Sequence, residues 1–587
     1  MNHKCMRVKG CWSRGLTRGA VFNKNNKQNP VINYKLPFFS SDLKKELTSN
    51  QKNLLHFFEN YSYVKKIESF KYNKNTPYAI VNLKNSDFKN GTLRITTPGI
   101  YRLTENIVFN PNEFNDFSPT SQQITSGLYP ENMHGPYHLG FFAAVTIETN
   151  DVIFDLNNYN IKQSDKHNFQ QRFFSLFELA SSPFFEKQGP AQFNTGTTYK
   201  VANRLLLMNG HLKLSSHHAI HGNAMKNLVF SNLNISDFEV ASIHLNGSEN
   251  VVINNVKIEN NKNNILVNSA YSQARFIRKF LNLAVQNKPS LKIGTKSISD
   301  IKKNLNDDLN NTYSQFVNSG SVPNNFFKNN CPSKPCEYDG NVYGMVLNVV
   351  GVAVNDFLSE RPSEDKNPGN KDIYLGNITI NNISSTPVEV IALNAAPQTN
   401  DSAYGGRVQV GPVGDVLNIE LIQDQDGNYT GNSLSDAQII LADKSYTGPK
   451  GTNNIVEKVV NWANGASKIS DFVKEGSGNF YYVGGGDSMN HVMKGNIGMF
   501  ISGGLNIKMN KITINNILSN GNKVGISTLK PIVPDPLTKK GLAAYSLLLT
   551  GGSNVTLKNS HIMDAHSENG ENKATKLIGN NNSLNIL

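Results

Sequence analysis

Three in-register repeats between residues 205 and 268 constrain this chain more than any other feature. Leu206, Val229 and Val252 share one position, and Leu212, Ile235 and Ile258 a second. Asn209, Asn232 and Asn255 share a third, and Ile220, Ile243 and Leu266 a fourth, all at a period of 23 residues. Such a period indicates one supersecondary unit per turn of a stacked array. The apolar pieces, such as Leu228-Val229-Phe230 and Val251-Val252-Ile253, are too short for helices and are bounded by Asn, Gly and Ser, so they read as strands. Stacking would pair each strand in parallel with its counterpart one repeat away and line the apolar side chains into internal columns. Each fully buried Val, Ile or Leu would contribute about 1.5–3 kcal/mol. The asparagines suit corners, where their side chains tolerate left-handed backbone and stacked amides bond along the axis.

Further copies are legible at residues 372–393 (Ile378-Thr379-Ile380-Asn381-Asn382) and 507–517 (Ile512-Thr513-Ile514-Asn515-Asn516). The segment from Phe500 to Ile507 reads like that from Leu549 to Thr556, with glycines where a tight corner needs positive φ. An earlier strand pair, 144–147 and 152–156, begins the array.

These repeats resemble the right-handed parallel β-helix, or pectate-lyase-like, superfamily. The resemblance implies an all-β, right-handed parallel β-helix solenoid with an N-terminal helical cap and two insertions, the first helical and the second mixed. It divides the chain into a basic arm (1–42), a helical cap region (43–85), the first part of the β-helix (86–270), a helical insertion (271–342), further coils (343–395), a mixed insertion (396–494) and C-terminal coils (495–587). The cap rests on apolar residues at helical spacing, Leu47, Leu54, Leu55 and Phe58, since an open solenoid end exposes both core and strand edges. The first insertion rests on the helical spacing of Phe276, Ile277, Phe280 and Ala284, then Ile301, Leu305, Leu309 and Phe316. The superfamily includes polysaccharide lyases and hydrolases, tailspikes, adhesins and virion proteins, so fold does not choose an activity.

The formal charge of +13 is unevenly spread. No acidic residue precedes Asp42, whereas Lys4, Arg7, Lys9, Arg14, Arg18, Lys24, Lys27 and Lys35 do. This arm suits nucleic acid or another anionic surface through salt-screened attraction, and a solvated tail is the plain alternative. No secretory apolar segment and no transmembrane run is legible. With its Asn- and Lys-rich composition, the chain resembles β-helix proteins of large DNA viruses, which implies a location in a virion or in host cytoplasm. Cys5, Cys11, Cys331 and Cys336 are too few for a disulfide scaffold and too loosely spaced for a recognisable metal set, so neither metal nor cofactor is expected.

The 23-residue register also pairs His221 with His244 and Asn223 with Asn246. Because Ile220, Ile243 and Leu245 take inward positions, alternation puts both histidines on the outer face, as exposed imidazoles one strand spacing apart. Asp237 and Glu239 precede His244, and His217 and His218 sit at the preceding corner. A polysaccharide hydrolase or lyase needs an acid and a base or nucleophile across a sugar ring, so His221, His244, Asp237 and Glu239 form the candidate catalytic set. His217, His218, Asn223, Asn246 and Tyr137 are candidate glycan contacts. An inert polar ladder is the structural alternative, and the catalytic motifs of polygalacturonase-like enzymes and the calcium-binding aspartates of pectate lyases have no counterpart here. Three readings stay open: a virion-associated or glycan-recognising protein, an enzyme acting on polysaccharide, and a purely structural assembly protein. Glycan, capsid or virion proteins and further copies of the chain are the partners these imply.

Overall fold

The computed structural model describes residues 34–61, 63–64, 78–123, 140–171, 174–183, 199–260, 264–266, 342–348, 370–387, 495–519, 543–550, 553–567, 572–578 and 584–586, with scattered positions between 126 and 129 and between 285 and 314. The chain is mostly β, and its two large sheets are parallel. One contains β1 (Leu93–Ile95), β3 (Ala143–Ile147), β5 (Ser175–Glu178), β7 (His218–Asn223), β9 (Ala241–Asn246), β11 (Val342–Asn348), β13 (Gly495–Ser502) and β15 (Ala543–Thr550). The other contains β2 (Gly99–Leu103), β4 (Asn150–Asp155), β6 (Asn203–Ser215), β8 (Lys226–Phe238), β10 (Glu249–Glu259), β12 (Lys371–Pro387), β14 (Leu505–Ser519) and β16 (Ser553–Lys558). The chain therefore alternates between the sheets, and each strand pairs in register with its counterpart in the next repeat.

Left-handed residues bend the long even-numbered strands at matching positions. Arg204, Asn227, Asn250, Asp372, Asn506 and Asn554 form one such column, and Asn209, Asn232, Asn255, Asn377, Lys511 and Asn559 a second. Asparagine dominates because most L residues pay about 1–2 kcal/mol in this conformation. The amides also bond along the stack: Asn232 Nδ2 donates to Asn209 Oδ1 at 3.1 Å, Asn255 to Asn232 at 2.5 Å and Asn377 to Asn255 at 3.0 Å. Replacing Asn232 by alanine should lower the unfolding free energy by about 1–2 kcal/mol, through left-handed strain and the broken ladder. Asn232→Gly should cost less in urea unfolding, because glycine keeps the backbone angle; equal losses would rule out the backbone part of this account.

The interior lies between the sheets and contains Leu205, Leu207 and Leu212 facing Ile220, with the same pattern in following repeats. Two expectations need correction. Leu206, Val229 and Val252 face outward, not inward, and join Ile100, Ile153 and Tyr374 in a separate apolar stripe. The helices α1 (Ser41–Glu46) and α2 (Ser49–Glu59) cover that stripe with Leu54, Leu55 and Phe58; they lie along the face of the sheet rather than across its first edge. Thr48 caps α2, accepting from the Gln51 backbone N–H at 3.3 Å while Gln51 Oε1 accepts from Thr48 N at 3.0 Å. The remaining amide hydrogens of Gln51 go to the carbonyls of Val251 and Asp372, at 3.2 and 2.8 Å.

Leu266 also leaves its predicted column. The partner of Ile243 in the next repeat is Met345, and 264–266 pairs instead with 385–387 in the other sheet. Residues 267–341 separate these points in sequence. Described residues from 299 to 314 are helical, as the spacing predicts, although a short antiparallel pair, Lys292–Ile293 with Lys296–Ser297, precedes them. The predicted mixed insertion, 396–494, lies outside the described residues, as do the four cysteines and the arm before residue 34.

Candidate functional site

Register brings Glu178, His221 and His244 into one column on β5, β7 and β9. The next members of that column, Val346, Phe500 and Leu548, belong to a cluster distinct from the interior, so the histidines do face outward. They are not exposed, however: His221 is 7% and His244 4% accessible, and Glu178 is fully buried. Part of the cover comes from the segment following β5. Ala180 bridges Val201, Ser181 N donates to Lys200 O at 2.8 Å, and Asn223 Nδ2 reaches the Pro183 carbonyl at 2.9 Å. This segment breaks the 23-residue period, which is why exposure was misjudged from spacing.

His221 Nδ1 lies 2.7 Å from Glu178 Oε2. His244 Nδ1 lies 3.0 Å from His218 Nε2, and His244 Nε2 lies 3.1 Å from Asn246 Oδ1. The His218 and His221 rings stack at 5.0 Å, His244 meets His221 edge-on at 5.5 Å, and His217 packs against His218 at 4.1 Å. The Pro183 carbonyl orients this network because it can only accept. Asn223 must donate to it, so Asn223 Oδ1 accepts from Asn246 Nδ2 at 2.7 Å. Asn246 Oδ1 then takes the His244 Nε2–H, leaving His244 Nδ1 as a lone-pair acceptor for the His218 Nε2–H.

Burial dominates the electrostatics. It lowers the His221 imidazole to about 4 and His244 to about 3, and holds His218 well below its ordinary value. It raises the Glu178 carboxyl well above the carboxylate range. Burial also raises the Tyr199 hydroxyl, with the Glu178 charge acting in the same direction. The favoured state is an uncharged cluster in which a single proton is shared across the Glu178–His221 contact. That pair can give or take a proton. It is not a metal site as arranged, since His218 and His244 spend their facing nitrogens on each other; among the described residues no set of three metal-ligating side chains is assembled.

The acids expected beside the histidines are elsewhere. Asp237 adopts a left-handed corner (φ 58) and opens onto the other sheet, into a groove of about 480 Å³ with His211, Lys213, Asn234, Ser236, Lys257 and Glu259. Glu239 is half-buried at the turn into β9, its backbone N–H donating to Ser215 O at 2.9 Å. Tyr137 lies outside the described residues. The carboxyl that does meet a histidine, Glu178, was missed. Its signal is the likeness of Ser175-Leu-Phe-Glu178 to His218-Ala-Ile-His221 and Ala241-Ser-Ile-His244, hidden by a spacing of 43 rather than 23 from Glu178 to His221.

Among the described residues no helix is long and apolar enough to cross a membrane. No protein-family model matches the chain, and no curated protein matches it.

Proposed function

We propose that this chain is a right-handed parallel β-helix that recognises glycan through the groove on its even-numbered sheet. The strict alternation between two parallel sheets and the asparagine ladders support the β-helix reading. The carrying observation for glycan is the groove itself, in which His211, Lys213, Asn234, Ser236, Asp237 and Glu259 offer donors and acceptors on neighbouring strands. Strands repeat at about 4.8 Å, so a flat ladder of such groups suits a polymer of hydroxylated units. A virion-associated setting rests on the composition and basic arm alone. A second reading, polysaccharide hydrolysis or elimination, is favoured by the Glu178–His221 contact at 2.7 Å with both groups shifted toward neutrality, the pattern of an acid–base pair.

A glycan array probed with the full chain, Asp237→Ala and Glu178→Gln, with reducing-end release measured on each bound polymer, separates the readings. Binding weakened about tenfold by Asp237→Ala without cleavage is expected for recognition in the groove. Cleavage abolished by Glu178→Gln would move the function to the buried cluster. Absence of any bound glycan would leave structural assembly.

A further inference from the structure

On the even-numbered sheet some lysines are matched to acids and others are not. Lys226 lies opposite Glu249 in the register of β8 and β10 and pairs with it at 2.8 Å, and Lys257 pairs with Glu259 at 2.8 Å. Lys213 and Lys162, by contrast, occupy opposed positions on β6 and the short strand Asn160–Gln163. Neither has a carboxylate within ion-pair distance among the described residues. Like charges directly opposed on adjacent strands are unfavourable by themselves. Both residues are half-buried, and Lys213 lines the groove. His211 is the next groove residue on the same strand face, and Val108, 44% exposed, lies opposite Lys162 on its other side.

We propose that Lys162 and Lys213 form an anion seat at one end of the groove, so that the glycan bound there is an anionic polysaccharide carrying carboxylate or sulfate groups. This rests on the glycan-recognition reading and narrows it. One anionic group placed between the two ammonium groups removes their repulsion and adds two charge-assisted contacts. Asn234, Ser236 and the carboxylates of Asp237 and Glu259 then meet the hydroxyls of the following units.

The test uses the full chain on surfaces bearing heparin, polygalacturonate and neutral dextran, with Lys162→Ala/Lys213→Ala and Lys162→Arg/Lys213→Arg as variants. Heparin or polygalacturonate should bind, and the one preferred distinguishes a sulfate from a carboxylate seat. The double alanine variant should bind it about a hundredfold more weakly at low salt, and the arginine variant should retain most of the affinity. The basic arm makes its own salt-sensitive contacts, so anionic binding that survives the double alanine change belongs to the arm and overturns the seat. Binding of dextran or other neutral glycans with no anionic preference overturns the inference while leaving glycan recognition in place. Failure on all three surfaces and on the array overturns the recognition reading itself. A urea midpoint no lower than that of the parent for either variant verifies that the fold is intact.

Discussion

Lowering the pH from 6.5 to 4.5 should strip several kcal/mol from the stability of this protein. In that interval His218, His221 and His244 bind protons in the unfolded chain, where their value is the ordinary 6.5, but not in the folded one, where burial holds His221 at about 4, His244 at about 3 and His218 well below 6.5. Glu178 works in the opposite direction: raised by burial, it keeps in the fold a proton that the unfolded chain releases above 4.5. Tyr199, raised above 10, stays protonated in both states. Three protons gained against one lost leaves a net uptake of two on unfolding, so stability climbs with pH at roughly 3 kcal/mol per unit. About one unit above 6.5 the unfolded histidines have also lost their protons and Glu178 alone reverses the slope, which puts the maximum near pH 7. Urea midpoints at pH 4.5, 5.5, 6.5 and 7.5 measure this. His244→Gln should reduce the acid slope by about one proton, roughly 1.4 kcal/mol per unit. Equal slopes in the two proteins would rule out a buried, neutral His244.

Gly344→Ala should cost about 3 kcal/mol or more. Between the paired positions of the odd-numbered strands runs a column of small residues, Ala219, Ser242, Gly344, Gly498 and Ser546. A Cβ at Gly344 would overlap the Gly498 carbonyl oxygen and come within 2.6 Å of Ile380 Cγ2. The first is backbone held by its own strand pairing, so neither side can yield without opening the stack. Glycine to alanine in an ordinary strand is neutral or stabilising, which makes the sign informative. A thermal midpoint unchanged by the substitution would show that the two strands are farther apart than described.

Wherever the 23-residue period runs uninterrupted, from 203 to 259, spacing alone placed the strands, the asparagine ladder and the outward direction of His221 and His244. Interruptions defeated it. Glu178 is separated from His221 by a segment that helps cover the site, and Met345 replaces Leu266 because residues 267–341 intervene in sequence before the next strand of that sheet. Burial of the histidines depends in part on the segment after Glu178, which lies outside the period, and no periodicity in the strands encodes it. The docking face of α2 did leave a trace. Leu205-Leu206-Leu207 and Val251-Val252-Ile253 are apolar at every position rather than alternating, the mark of a strand covered on both sides. Asp237 was assigned by proximity in sequence, but its left-handed corner turns its side chain to the other sheet.

Gln51 holds a carbonyl on each of two strands, β10 and β12, that pair in register although they are distant in sequence. No short connection joins these two strands, so their junction relies on its ladder and on whatever spans it. The N-terminal helix acts there as a splint. By gripping Val251 and Asp372 together and covering strands from Ile100 to Tyr374, it ties parts of the sheet that are distant in sequence into one cooperative unit, so that load applied across the strands is shared at that junction.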